Sequence, residues 1–122
     1  MRPRFLIINC PNKYFKHIPM GTFGLCDYLN RRGNAVRLVN LALYETEETG
    51  TVFEHHMNLF QPTHVGLIFH WQETTEGVLS TAKQIKSYCD LVKIVCGGFT
   101  AGYFGESLLS RYRFIDYVVK WK

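Results

Sequence analysis

"RFLIINCPNKYFKHIPMGTFGLCDYLNRRGNAVRLVN", residues 4–40, decides the fold. Phe5 to Cys10 form a continuous apolar run, as in a strand buried on both faces. After a loop, Thr22, Leu25, Cys26 and Leu29 recur at helical spacing over residues 21–32, and Gly33 is a natural stop. Residues 34–40, "NAVRLVN", alternate and carry Arg37, which suits an edge strand. Strand, helix and strand in this order make a β-α-β unit, and its crossover lays the two strands parallel.

The same alternation continues outward. "LALYETEETG" (41–50) reads as a polar connection. Thr51 and Glu54 have capping-box spacing ahead of a helix striped by Phe53, His56, Met57 and Phe60. "QPT" then marks a turn, and "VGLIFH" (65–70) is a third, fully apolar strand. Thr74 or Thr75 is placed to cap a helix whose inner face holds Val78, Ala82, Ile85 and Cys89. "LVKIVCGG" (91–98) is strand four, "YFGESLLSRY" (103–112) is helical, and "FIDYVVK" (114–120) alternates like the far edge strand.

These elements predict an α/β domain, a three-layer sandwich around a five-stranded parallel sheet with helices on both faces. The apolar strands one, three and four belong in the centre. The order is then 2-1-3-4-5, the flavodoxin-like (Rossmann-like) arrangement, with its switch point between strands one and three.

Bulk properties narrow the function. A chain of 122 residues makes one domain, without repeat or low-complexity tract. No apolar run approaches the ~20 residues that span a bilayer. "MRPRFLIINCPNK" turns polar too soon for a signal peptide, so the expectation is a cytoplasmic protein with no membrane role. The net charge is +4, but Arg2, Arg4, Arg31, Arg32, Lys83, Lys86, Arg111 and Arg113 are scattered. They read as solvated faces rather than the concentrated stripe that nucleic acid requires. Cys10, Cys26, Cys89 and Cys96 form no CxxC pair and no zinc-ribbon spacing, as expected of reduced, buried thiols. "DYVVKWK" ends the chain on a strand with no helix after it, which suggests a domain taken from a longer protein.

The strand ends say which ligand suits the switch point. A phospho-receiver needs acidic residues after strands one and three to hold a divalent cation. Asn9-Cys10 and His70-Trp71 stand there instead. A flavin phosphate loop needs more hydroxyls than "PNKYFKHIPMG" offers, and Gly21 and Gly24 supply only half of GxGxxG. What remains is "PMG" before helix one, "FHWQ" after strand three and "CGGFTAG" after strand four. Adjacent glycines let backbone approach a bulky ligand, and the aromatics with Met20 can cover an apolar ring. The set suits a broad organic cofactor better than a small anion.

On these residues the chain resembles the B12-binding (cobalamin-binding) domain at the N-terminus of B12-dependent radical SAM enzymes. "IPMGTFGLCDYLNRRGNAVRLVN", "PTHVGLIFHW", "VKIVCGGFTAG" and "FIDYVVK", similar to an Asp-x-Val-Val pattern, carry the likeness in order across essentially all 122 residues. The resemblance implies a cobalamin-binding module whose site residues are Met20, Gly21, Gly24, Ile68, His70, Trp71, Gly97, Gly98, Phe99 and Thr100. Gly97 and Gly98 would let the dimethylbenzimidazole tail lie against strand four, with Phe99 and Thr100 lining its pocket. Gly21 and Gly24 would bring helix one close beneath the corrin, and His70 and Trp71 would border the ring or an adjoining domain.

The related Asp-x-His-x-x-Gly loop falls on Pro19-Met20-Gly21-Thr22-Phe23-Gly24, so Gly21 occupies the place of the axial histidine. The serine after strand three is also missing, with Ile68-Phe69-His70 in its place. The implied cobalamin is therefore His-off, and its implied use is methyl transfer. The chain contains no CxxxCxxC, so an iron–sulfur cluster and S-adenosylmethionine would belong to a downstream radical SAM domain, which is the expected partner. This chain by itself is not expected to be catalytic.

Blander readings stay open beside these. Gly97-Gly98 also suits a plain β-α turn, and Gly24 a helix-packing contact. His17 is either a substitute cobalt ligand or a solvated loop residue. Cys10, His17, Cys26 and His70 are a conceivable but irregular zinc set. The rival function is a degenerate domain serving as scaffold, which a groove filled by Phe99 or Tyr103 would favour.

Overall fold

The computed structural model describes residues 2–120. In chain order it contains β1 (Arg4–Asn9), α1 (Met20–Arg31), β2 (Ala35–Asn40), α2 (Thr46–Phe60), β3 (His64–Ile68), α3 (Thr75–Tyr88), β4 (Lys93–Gly97), α4 (Phe99–Tyr103), α5 (Gly105–Arg111) and β5 (Tyr117–Val118). The sheet runs β2-β1-β3-β4-β5 with every pair parallel, the order that apolar continuity predicts. Trp121 and Lys122, the end of the "DYVVKWK" stretch, lie outside the described residues.

Four local expectations are corrected. Helix α2 starts at Thr46, inside the stretch read as polar connection, and Thr51 is an interior residue. Its capping box is formed by Glu45 and Glu48, and Glu47 and Glu48 add negative charge where the helix dipole welcomes it. Neither Thr74 nor Thr75 caps α3. Their hydroxyls donate to the carbonyls of Trp71 and Gln72 and close a 3-10 turn ahead of the helix. The helix expected over 103–112 begins at Phe99 and breaks at Phe104 into α4 and α5.

The fourth correction is β5, two residues long instead of seven. Asp116 N–H donates to the Ile94 carbonyl at 3.0 Å, while the Asp116 carboxylate accepts from Ile94 N–H at 2.8 Å. A side chain thus takes the β4 amide that a longer ladder would have used. The same carboxylate binds Lys86 Nζ at 2.8 Å, and Lys86 also donates to Val92 O, which ties the end of α3 to both strands.

The core lies on one face of the sheet. Leu6 and Ile8 of β1, Val65 and Leu67 of β3, and Ile94 and Cys96 of β4 point into it. Phe53 and Met57 of α2, Val78, Ala82 and Ile85 of α3, Ala101 of α4 and Leu108 of α5 close over them. Helix α1 serves the other face and has no buried residue. Of its expected inward stripe, Thr22, Cys26 and Leu29 are half-buried and Leu25 is exposed. Among the described residues no helix is long and apolar enough to cross a membrane.

Asp116 makes stability sensitive to acid. Burial works to raise its pKa, but the Lys86 hydrogen bond, the Ile94 N–H and the charges of Lys86 and Lys93 together hold it below the ordinary 3.8. A carboxyl with a depressed folded pKa stabilises the fold fully above its unfolded value and ceases to as pH falls through the lowered one. Urea denaturation should therefore show stability declining below about pH 4. Asp116→Ala should cost about 2 kcal/mol at neutral pH and flatten that acid limb.

Candidate functional site

Because β-strand side chains alternate, the face away from the core is paved by residues in register. Ile7, Gly66 and Val95 align across β1, β3 and β4, and Asn9, Ile68 and Gly97 form the next row. Above this floor stand Pro19, Gly21, Thr22, Leu25 and Leu29 at the start and along the underside of α1. They do not reach it, and a groove of about 550 Å³ remains. That is within the ~300–1,000 Å³ usual for small-molecule sites. His70 and Gly98 border one end, and Val119 and Lys120 close the side beyond β4.

The two glycines in the floor differ in cause. At Gly66 a side chain would collide with Ile7 Cδ1 at 2.7 Å, so the absent Cβ is what gives Ile7 its room. At Gly97 an added Cβ would meet only Val119, at 3.8 Å, an ordinary contact. Gly98 is a backbone necessity. Its φ is +123°, and a Cβ would lie 2.7 Å from the carbonyl carbon and oxygen of Phe69. Gly98 is thus required by the turn itself, whereas Gly97 is not held to glycine by its surroundings.

Around Gly98 the ends of β3 and β4 are bolted together. Phe69 N–H donates to Gly97 O at 2.7 Å, and Ala101 N–H to Phe69 O at 3.1 Å. Thr100 Oγ1 donates to His70 O at 2.9 Å, and Phe99 N–H to His70 Nδ1 at 3.3 Å.

The loop after β1 is just as firmly held. Asn12 accepts from Tyr14 and Phe15 N–H and donates to Cys10 and Phe15 carbonyls. Asn9 Nδ2 donates to Asn40 Oδ1, and Asn40 Nδ2 to Lys16 O, pinning loop to β2. Phe15 stacks on Trp71 at 4.7 Å, joining this loop to the one after β3. Gly77 of α3 presses on Pro11, whose carbonyl oxygen would lie 2.1 Å from a Cβ there.

Of the ten residues expected at the site, Gly21, Ile68, His70, Gly97 and Gly98 line the groove. Met20 and Phe99 stand outside it, 88% and 61% exposed. A Cβ on Gly21 or Gly24 would meet nothing within 4 Å, so neither glycine is needed for packing. Thr100 is buried and acts on the backbone of His70. Trp71 packs on Phe15 and His70, and its Nε1 is buried without a partner among the described residues. Phe5, Ile7, Gly66 and Val95 were not singled out by motif, although period-two alternation on β1, β3 and β4 puts them on one face.

Little charge reaches the groove. Lys120 at its edge is paired with Glu106 at 3.2 Å. Burial pushes the Cys10 thiol up to about 12, with a lowering hydrogen bond from Thr81 and a small raising effect of Cys96. Burial alone pushes Cys96 up to about 12. Both stay protonated and face the core. Among the described residues no three His, Cys, Asp or Glu side chains gather to hold a metal, so Cys10, His17, Cys26 and His70 do not form a zinc set.

No family model and no curated protein matches the sequence. Among solved structures the chain is similar to the radical S-adenosylmethionine methyltransferase TsrM from Kitasatospora setae, with cobalamin and a [4Fe-4S] cluster bound. The TM-score is 0.76 at 18% identity over 93% of this chain, which spans 22% of that one. It is also similar to the pseudo-receiver domain of the CikA protein, with a TM-score of 0.58 at 11% identity over 98% of this chain and 85% of that one. At these identities the likeness establishes the fold.

The contrast between the adjacent glycines is open to measurement. Gly98→Ala should lose about 3 kcal/mol or more in thermal or urea denaturation, from a backbone region that is essentially glycine-only plus the collision with Phe69. Gly97→Ala should stay within about 1 kcal/mol of wild type.

Proposed function

We propose that this chain is the cobalamin-binding module of a B12-dependent radical SAM enzyme that transfers methyl groups. The observation that carries the reading is the unfilled groove between α1 and the apolar floor of β1, β3 and β4. It ends at the glycine pair where the resembled family lays the nucleotide tail of its cofactor. The fold shared with the corresponding part of a cobalamin-containing methyltransferase supports it.

The residues fit such a group. A flat heterocycle needs a floor with few projecting side chains, and Gly97 leaves one beside Ile68, while the Ile7 side chain lies over Gly66 as part of the apolar floor. Leu25 and Leu29 would cover it from α1, and the apolar lining would keep water from it. Open space around Gly21 leaves room for the corrin above the start of α1. When bound, cobalamin would supply a cobalt centre able to accept and hand on a methyl group. With glycine at position 21, the place of the resembled family's axial histidine offers cobalt no imidazole. His17, exposed on that loop with its ring edge-on to Phe15, is not required by the reading. The sequence has no CxxxCxxC, so cleavage of S-adenosylmethionine would fall to another part of the protein.

The scaffold alternative is not favoured by the side chains that would signal it. Phe99 and Tyr103 are 61% and 76% exposed and do not fill the groove.

Titration with hydroxocobalamin should perturb its visible spectrum and yield a coloured protein peak on gel filtration. Gly97→Val, which intrudes on the floor without straining the backbone, should weaken binding at least about tenfold while leaving the circular dichroism spectrum intact. His17→Ala should bind like wild type. A colourless wild-type peak with an unchanged spectrum would sink the reading.

A further inference from the structure

In a parallel sheet each connecting helix returns the chain to the edge where the strands begin, opposite the edge that holds Gly98. All seven arginines come to that starting edge, although the sequence scatters them. Arg2 precedes β1, Arg4 opens it, and Arg31 and Arg32 end α1. Arg37 of β2 lies against Phe60, the last residue of α2. Arg111 ends α5 and Arg113 follows it, with Lys93 at the first position of β4. A cation in the last turn of a helix suits its dipole, which accounts for Arg31, Lys86 and Arg111. It does not account for Arg2, Arg4, Arg37, Arg113 or Lys93, which stand on strands and loops. The first-turn acids Glu47, Glu48, Glu76 and Glu106 sit at the other edge. Of the acids on this side, Asp27 and Asp116 are already paired, with Arg31 and Lys86.

Most of the guanidinium charge is held in place without being neutralised. Arg2 Nη1 donates to Gly33 O at 3.0 Å, and Arg4 Nε to Phe60 O at 2.9 Å. The guanidinium carbons of Arg4 and Arg37 lie 4.3 and 5.4 Å from the centroid of the one Phe60 ring, and that of Arg32 lies 4.7 Å from the Tyr28 ring. Among the described residues Arg31 alone of the seven has a carboxylate partner. Nearby groups feel the field: burial, then the charges of Arg37 and His55, hold His56 below its ordinary 6.5. Carbonyls and rings fix a guanidinium but leave its charge to be met, so an incoming carboxylate finds its donors already ordered.

Two leucines outside the core stand on the same edge. Leu59, beside Phe60 at the end of α2, is 61% exposed, and Leu91, just before β4, is 84% exposed. A hydrogen bond from the Tyr88 hydroxyl to Asn58 joins the two helix ends next to them. A phosphate backbone gains nothing from exposed leucines, and the Tyr28 ring, where a base could stack, already carries Arg32. A protein surface that mixes acidic and apolar side chains uses both features.

We propose that the strand-start edge of the sheet docks a separate protein through a segment that combines carboxylates with leucine-sized apolar side chains. The carboxylates pair with Arg2, Arg32 and Arg37 on one flank and with Lys93 and Arg113 on the other, and the apolar side chains cover Leu59 and Leu91. This surface is remote from the glycine pair, and the inference does not rest on the cobalamin reading.

The test measures fluorescence anisotropy of a labelled peptide of repeated Glu-Glu-Leu and of an oligothymidylate of equal charge. Wild type should bind the peptide at least about tenfold more tightly at about 50 mM salt, and raising the salt tenfold should weaken that binding strongly. Arg2→Gln/Arg37→Gln should lose about tenfold in peptide affinity, whereas Lys13→Gln, at the other edge, should change it less than about twofold. Leu59→Ser/Leu91→Ser removes no charge and no core contact. It should lose about fivefold for the peptide and nothing for the oligothymidylate. Circular dichroism checks that each variant is folded. An oligothymidylate bound as tightly as the peptide, with the leucine variant indifferent, would overturn the inference in favour of a nucleic-acid surface. Concentration-dependent self-association on gel filtration that Arg2→Gln/Arg37→Gln abolishes would overturn it in favour of a second copy. Absence of peptide binding to wild type would remove it altogether.

Discussion

The contact between Gly98 and the end of β3 constrains everything at the functional edge. With a φ of +123°, Gly98 turns the chain from β4 into α4 so tightly that its α-carbon abuts the Phe69 carbonyl. That closeness lets Ala101 N–H reach Phe69 O, and Thr100 and Phe99 reach His70. Two central strands thereby share one rigid rim, and the side chains that leave it are aimed by backbone rather than by loop flexibility. The chain accepts a conformation that only glycine tolerates, and it gains a fixed platform across the ends of β3 and β4.

The second organising feature is the inequality of the sheet's two faces. On one, α2, α3, α4 and α5 complete a closely packed core whose thiols are too buried to ionise. On the other, α1 stands alone and buries nothing fully. An apolar floor roofed this loosely is what a planar ligand would need, and it would otherwise expose apolar surface to water. Pro19 and Gly21, at the start of α1, line this space and bring no titratable side chain to it.

Sheet order was legible in the sequence because β1, β3 and β4 are apolar on both faces whereas Arg37 marks β2 as an edge. The start of α2 was not, because Glu45–Glu48 and Thr51–Glu54 present equivalent spacing, and only the chain's path out of β2 selects the first. The length of β5 was hidden in a side chain: alternation cannot reveal that the Asp116 carboxylate will occupy the Ile94 amide. At the site, the Gly97-Gly98 pair was visible as composition, but its division of labour depends on a backbone angle. Ile7, Gly66 and Val95 escaped notice for a related reason. A strand apolar on both sides does not say which side will remain uncovered, and the Leu25 and Leu29 stripe looks the same over a groove as over a packed sheet.

The one-sided core also divides the molecule into two tiers of stability. Helix α1 is held by its turn at Gly33, the half-burial of Thr22, Cys26 and Leu29 and the loop brace through Asn12 and Asn40, not by a share of the central packing. Its amides should open to solvent exchange at a far lower free energy than those of β1, β3 and α3, which open only with the whole domain. An occupant of the groove would bring its greatest gain in order to the one helix that the sheet leaves loose, and so would act as a missing portion of the hydrophobic core.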